Sequence, residues 1–209
     1  APAVDLMASR IEKIKVVNPE RIGVVLPLSG SFAKIGRQLL DGIVLASQFL
    51  DGTTSESRVE LIIRDSAGEP AQAVAAIESL VFDEQVVAII GPAMTKTAEA
   101  VVQTVNQLRV PTLTFTQHET LAEESKFLFQ LSMKKSLQAR RIVQFAVEKM
   151  GVRRFAALAP THTYGEQMLQ FFTEALEEYD DVEVSVMERY EADTKSFSDV
   201  VKGMEQLAD

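Results

Sequence analysis

A chain of 209 residues, 46% of them hydrophobic and 24% charged, carries enough apolar material for one large core or two small ones. Its net charge of −9, with no Lys/Arg stripe interleaved with aromatics, argues against a nucleic-acid partner. No apolar run approaches the roughly 20 residues of a spanning helix, so no direct membrane insertion by this stretch is expected, and zero cysteines remove thiol chemistry and a lipid-anchor site within it.

In chain order, residues 3–17 read as a lead-in helix with Val4, Met7, Ile11 and Ile14 on one side, ended by Asn18-Pro19. The opening Ala1-Pro2-Ala3-Val4-Asp5 lacks a basic n-region and an apolar h-region, so any export signal is expected to have been removed. Residues 22–26 form an unbroken apolar run suited to a strand buried on both faces. The period then changes: Ile35, Leu39, Ile43, Ala46 and Leu50 recur at helical spacing. Between the two lies Pro27-Leu28-Ser29-Gly30-Ser31, which can continue neither element and whose hydroxyls can cap the helix.

The same alternation continues. A strand at 59–64 ends at Asp65, and Glu69-Pro70 opens a helix with Ala73, Val74, Ile77, Leu80 and Val81 inward. Residues 86–90 are a strand, 91–95 a loop, 96–108 a helix and 112–115 a fourth strand. After a polar loop at 116–124, residues 126–131 are extended and 136–150 helical, with Gly151 suited to a left-handed cap. A second series comes next: strand 155–159, loop 160–165, helix 166–179, strand 182–188 and helix 197–207.

Strands alternating with helices of this length imply right-handed crossovers and an α/β fold with a doubly wound parallel sheet. Two strands fall short of the usual four to six or so, so the second lobe is expected to be incomplete, with a further segment or another chain completing its sheet. The expected division is a lead-in helix at 1–18, an N-terminal α/β lobe at 19–130 and a partial second α/β lobe at 131–209. Ligands of open parallel sheets bind at the carboxyl ends of the strands, near a topological switch point, so the 27–31 loop is the first candidate site. No G-x-S-x-G elbow, phosphate-binding loop or G-x-G-x-x-G occurs, and no enzyme activity or cofactor is expected. Asp65 at a strand end suggests a phosphoacceptor, but the acidic residues needed after the first strand are replaced by Pro27-Leu28-Ser29-Gly30. His118 and His162 without cysteine make a weak metal case, and no metal site is expected.

The run Arg-Ile-Gly-Val-Val-Leu-Pro-Leu-Ser-Gly-Ser-Phe-Ala-Lys-Ile-Gly-Arg at 21–37, with Gly42, resembles the opening of type I periplasmic binding proteins of the Leu/Ile/Val-binding group. Ile89-Ile90-Gly91-Pro92, Val110-Pro111-Thr112-Leu113 and Thr163-Tyr164-Gly165-Glu166 occur in that family's order, so the likeness covers nearly the whole chain. The opening, Phe129-Gln130 and the Ala159-Pro160…Tyr164-Gly165 pattern look closest to the penicillin-binding protein activator lipoproteins.

The resemblance implies two lobes joined by a hinge that close on a small solute, a first crossing at 129–133, and more of the second lobe beyond Asp209. It also implies a periplasmic or extracytoplasmic location, with any lipid anchor on residues outside this stretch. The implied partners are a small-molecule ligand and either a membrane permease or a cell-wall synthase. By the family's pattern the loop with Ala93 and Thr95 holds a ligand carboxylate through N–H groups and a hydroxyl, and Thr114 and Thr116 form a second polar wall. Ser29 and Ser31 are expected to contact ligand through the first loop, and Tyr164 falls where the family puts an aromatic from the second lobe over the ligand. Plainer roles stand beside these: Thr95, Ser29 and Ser31 as helix caps, Thr114 and Thr116 as loop hydroxyls, Tyr164 packed on Phe171. Ile35 stands where some relatives carry an aromatic. Lys134-Lys135 stands where amino-acid binders place acids, which repels an ammonium group and leaves an acidic solute, none, or a solvated basic turn. The expectation is an extracytoplasmic solute receptor for an ABC-type transporter, or a regulatory lipoprotein domain acting through protein contacts.

Overall fold

The computed structural model describes residues 17–51, 59–191 and 193–208. The expected lead-in helix therefore lies outside the described residues, apart from Val17, and so does most of the loop after the first helix. The chain divides into two compact units, Ala1–Ser132 and Met133–Asp209.

The first unit alternates strand and helix: β1 (Asn18–Leu26), α1 (Ala33–Asp51), β2 (Glu60–Asp65), α2 (Pro70–Phe82), β3 (Val86–Ile90), α3 (Thr95–Leu108), β4 (Thr112–Thr114) and β5 (Leu128–Gln130). The five strands are parallel in the order β2-β1-β3-β4-β5. This is the doubly wound parallel sheet that the alternation of apolar runs and amphipathic crossovers dictates. Val24, Val25 and Leu26, at the centre of the sheet, are fully buried, which is why their stretch of sequence shows no polar alternation. Val25 and Ile89 pack with Ala73, Ile77 and Leu80 of α2 and Val101 and Val105 of α3 into the main core. Pro70 opens α2 at a position where a missing N–H costs nothing.

β1 begins earlier than its apolar run because pairing here is a backbone matter: the Asn18 N–H donates to Gln85 O at 2.8 Å, and the register slips before Ile22. At the outer edge, Arg21 pairs with Glu60 at 2.7 Å and Arg64 with Glu84 at 2.6 Å, giving the edge strand a charged border.

The second unit holds α4 (Lys135–Gln144), which continues into a wider π turn (Phe145–Lys149), then β6 (Arg154–Pro160), α5 (Thr163–Leu176), β7 (Glu183–Tyr190) and α6 (Ser198–Ala208). β6 and β7 pair in parallel as a two-stranded sheet. Val143, Val147, Ala175 and Leu176 form its core with Phe155, Phe172 and Val184 around them. Two boundaries differ from expectation. The last turn of the helix expected at 136–150 is π rather than α, and α5 starts three residues before 166 and stops at Leu176. The early start reflects Gly165, which reads as loop punctuation but sits in the first turn of α5, where a Cβ would lie 2.0 Å from Pro160 O. The end is closed by Glu177 N–H on Thr173 O at 3.1 Å and Tyr179 N–H on Leu176 O at 3.0 Å.

Candidate functional site

In the first unit the chain leaves β1 toward β2 on one side and returns to β3 on the other. The strand order therefore reverses between β1 and β3, and their carboxyl ends frame the crevice where open parallel sheets take ligands. Three loops border it: after β1, after β3 and after β4.

The first loop turns at buried Pro27 and is held from β2. The N–H groups of Leu28, Ser29 and Ala67 donate to one oxygen, Asp65 Oδ1, at 2.8, 3.3 and 2.7 Å. Burial pushes the Asp65 carboxyl up, but hydrogen bonds from the Ser29 hydroxyl and from the amides of Ala67, Leu28 and Ser29 outweigh it and hold it below the usual Asp value. Ser29 occupies the capping position of a 3-10 turn (Gly30–Phe32) that precedes α1, yet its side chain makes no capping bond. Its hydroxyl serves Asp65 instead. Ser29 and Ser31 are both exposed.

The loop after β3 hinges on Gly91, whose φ of +105° and whose missing Cβ, which would stand 2.0 Å from Val25 O, bring the chain hard against β1. Ala93 is half-buried, and Met94, not Thr95, is the capping residue of α3 and makes no side-chain cap. Buried Thr97 turns its hydroxyl back instead, donating to Met94 O at 2.8 Å, which leaves the first-turn N–H groups uncapped by it. Thr95 is exposed as the first helical residue, and its hydroxyl lies 3.0 Å from that of Thr116. The first amides of α3 have no partner further up their own helix, so this corner offers N–H groups and the positive end of a helix dipole.

The third wall is β4 and its continuation. Thr112, Thr114 and Thr116 are all buried. Thr114 turns its hydroxyl inward, donating to Pro92 O at 2.7 Å and accepting the Thr116 N–H at 3.3 Å, so it braces the loop from beneath instead of lining its surface. Thr116 is brought to Thr95. Behind it, Gln130 Nε2 donates to Thr116 O at 2.7 Å, while Gln130 Oε1 is buried without a hydrogen-bond partner. Sequence reasoning used Gln130 only as part of the family likeness, not as a site residue, and weighed Asp65 only as a phosphoacceptor. The Asp-Ser-Ala-Gly run at 65–68 is the kind of segment in which a carboxylate binds backbone N–H groups two residues on, and that signal pointed to a turn.

His118 has a structural role: Nδ1 accepts from Thr120 N–H at 3.3 Å and Leu121 N–H at 3.1 Å, and Nε2 lies 3.3 Å from Glu99 Oε1. Among the described residues no group of three His, Cys, Asp or Glu side chains could hold a metal ion. In the second unit, Tyr164 stands in the first turn of α5, 48% exposed, with its ring 6.2 Å from that of His162 and Lys135 Nζ 5.6 Å from its centroid. Lys135 Nζ also donates to Gln167 Oε1 at 2.7 Å. Tyr164 is thus flanked by a cation and an imidazole. Ile35 is 47% exposed on α1.

A model of the periplasmic binding protein family matches residues 19–207. Among curated proteins the chain is 33% identical over 168 residues to glutamate receptor 2.9 of Arabidopsis thaliana, covering 78% of this chain and 17% of the receptor. It is 26% identical over 179 residues to the penicillin-binding protein activator LpoA of Vibrio cholerae, covering 83% of this chain and 28% of that protein. Among solved structures it matches an ABC transporter substrate-binding protein from Sphaerobacter thermophilus at 30% identity and TM-score 0.67, covering 91% of this chain and 53% of that one. A putative branched-chain amino acid ABC transporter protein from Rhodospirillum rubrum matches in fold, with TM-score 0.79 at 21% identity, covering 91% of this chain and 56% of that one. The chain thus spans about half the length of these solved proteins and less than a third of these curated relatives.

Proposed function

The chain belongs to the periplasmic binding protein family, type I, and on that premise we propose that it is the ligand-receiving part of an extracytoplasmic solute receptor serving an ABC-type transporter. The ligand class is a small amino acid or a related small acid. Its carboxylate is received where the first amides of α3 and the Thr95 hydroxyl stand beside the Thr116 hydroxyl. That juxtaposition carries the reading: residues 21 apart in sequence bring the exposed Thr95 hydroxyl and the buried Thr116 hydroxyl within 3.0 Å at the positive end of a helix, beside the switch point of a parallel sheet. Ser29, Ser31 and Ala93 are the further candidates on the rim, Ala93 through its backbone. Thr114 acts as a brace. Tyr164, on the second unit, is a candidate through the family pattern, and its neighbour Lys135 favours an anionic ligand group over an ammonium.

Thermal unfolding of the whole protein with L-leucine, L-glutamate and benzoate tests this. A ligand at about 100 times its Kd adds roughly 2.7 kcal/mol, which for a chain of this size raises Tm by about 5–10 °C. No shift with any amino acid or small acid overturns the receptor reading. It then favours the second reading, regulation through protein contacts, which the likeness to a penicillin-binding protein activator over 83% of the chain supports. Direct binding of the protein to a purified penicillin-binding protein decides that one.

A further inference from the structure

The rim loop after β1 carries a short 3-10 turn, Gly30–Phe32, and one local bond, Leu28 N–H to Leu26 O at 3.0 Å; its longer-range anchor comes from β2. One carboxylate oxygen, Asp65 Oδ1, gathers the N–H groups of Leu28, Ser29 and Ala67 within 2.7–3.3 Å. The Ser66 N–H returns to Leu26 O at 2.9 Å, so the ends of β1 and β2 are stitched in both directions. The two loops also touch without spare room. A Cβ on Gly30 would stand 3.0 Å from Ala67 O, and one on Gly68 would stand 3.0 Å from the Phe32 ring. A loop tied by three donors to one charged acceptor, and closed over by backbone contacts, has its conformation set by that acceptor.

We propose that Asp65 is a positioning residue for ligand recognition: it touches no ligand, but by holding the amides of Leu28 and Ser29 it fixes the first loop at the height where Ser29 and Ser31 meet the crevice. This rests on the receptor reading above for its effect on affinity. For its effect on the loop it rests on the geometry alone. No phosphoacceptor role is assigned to Asp65: one of its oxygens is taken by three N–H donors, and the Pro27-Leu28-Ser29-Gly30 loop beside it supplies no acidic partner.

Asp65→Ala and Asp65→Asn in the whole protein separate the possibilities. Asn keeps a neutral acceptor at Oδ1 and places an NH2 group where the Ser29 hydroxyl can accept, so it is the conservative rescue. Amide hydrogen exchange read residue by residue is the first measurement. In Asp65→Ala, the amides of Leu28, Ser29 and Ala67 exchange about tenfold faster or more, beyond any change shared with Ile89 and Val105 in the core; in Asp65→Asn most of that protection returns. Calorimetric titration with L-leucine is the second: Asp65→Ala weakens binding by about tenfold and Asp65→Asn by about threefold or less. Unchanged exchange at the three amides, a uniform change across the whole chain, Asn behaving as Ala does, or L-leucine binding Asp65→Ala as tightly as the native protein each overturns the proposal. If the native protein does not bind L-leucine, the ligand assignment has failed and not the positioning claim. Selective loosening of the three amides then upholds the latter, and its absence overturns it.

Discussion

One substitution made twice on one helix gives opposite signs. Gly36 and Gly42 both lie within α1. A Cβ on Gly36 would stand 2.0 Å from Pro27 O and 2.6 Å from the carbon bearing it, whereas Cβ atoms in folded proteins essentially never come within 3.0 Å of a heavy atom. Nothing lies within 4 Å of a Cβ on Gly42. The neighbour at Gly36 is backbone at the end of a central strand, so relief means moving the start of α1 by about 1 Å or more. Overpacking of this kind costs about 3 kcal/mol, offset by the roughly 1 kcal/mol that Ala gains over Gly in a helix interior. Gly36→Ala is therefore destabilised by about 2 kcal/mol, while Gly42→Ala is stabilised by about 0.5–1 kcal/mol. Urea unfolding midpoints, with an unchanged slope, read the difference. Equal midpoints, or a gain in stability for Gly36→Ala, would refute the claim that α1 is seated by the contact of Gly36 with Pro27.

Thr95→Ala separates a ligand contact from a structural one. Thr95 is exposed and does not cap its helix, but its hydroxyl is hydrogen-bonded to that of buried Thr116, so stability falls by about 1 kcal/mol. Binding of a carboxylate ligand weakens about tenfold in calorimetric titration. Thr116→Val removes a buried hydroxyl and costs about 1 kcal/mol in urea unfolding as well as affinity; a loss of affinity without any loss of stability would mean that its burial is misread. The Asp65 carboxyl is held below its ordinary value of 3.8 in the folded chain. A group with a depressed folded pKa binds fewer protons in the folded state, so its contribution is present above the unfolded value and is lost as pH falls through the folded one. Acidification below pH 3.8 should therefore destabilise the native protein more steeply than Asp65→Asn, and parallel pH profiles would contradict that.

The sheet was legible because burial writes itself into composition. Residues 86–90 read as a strand and β3 is Val86–Ile90; the run before Pro27 is fully buried at its last three apolar positions. Errors arose where backbone geometry overrides side-chain pattern. Asn18 to Arg21 look like a break but pair through Asn18 N–H, and Gly165 looks like a loop but starts a helix. At the site, the three loops were legible from the rule that ligands gather at the carboxyl ends of parallel strands. The pairings within them were not: Thr95 with Thr116, and Leu28 with Asp65, depend on which strand lies beside which, and hydrophobic period carries no strand order. One inward turn was readable. Thr112, Thr114 and Thr116 alternate with Leu113 and Phe115, and a period of two puts all three on the face that Thr112 buries.

The two units solve the strand-to-helix joint in the same way, each by itself. β1 is followed by Pro27 and β6 ends at Pro160; in each case a glycine of the next helix, Gly36 or Gly165, lies so close to the proline carbonyl that a Cβ would stand 2.0 Å away. The contact lets the helix begin directly over the strand's carboxyl end, and its unpaired first amides are carried to that edge. In each unit the joint places a few polar side chains at that edge: Ser29 and Ser31 in one, Thr163 and Tyr164 in the other. Substitutions further along α1 and α5 alter how firmly the joint is held. At the first joint the hold also comes from a neighbouring strand, through Asp65 Oδ1 on the amides of Leu28 and Ser29.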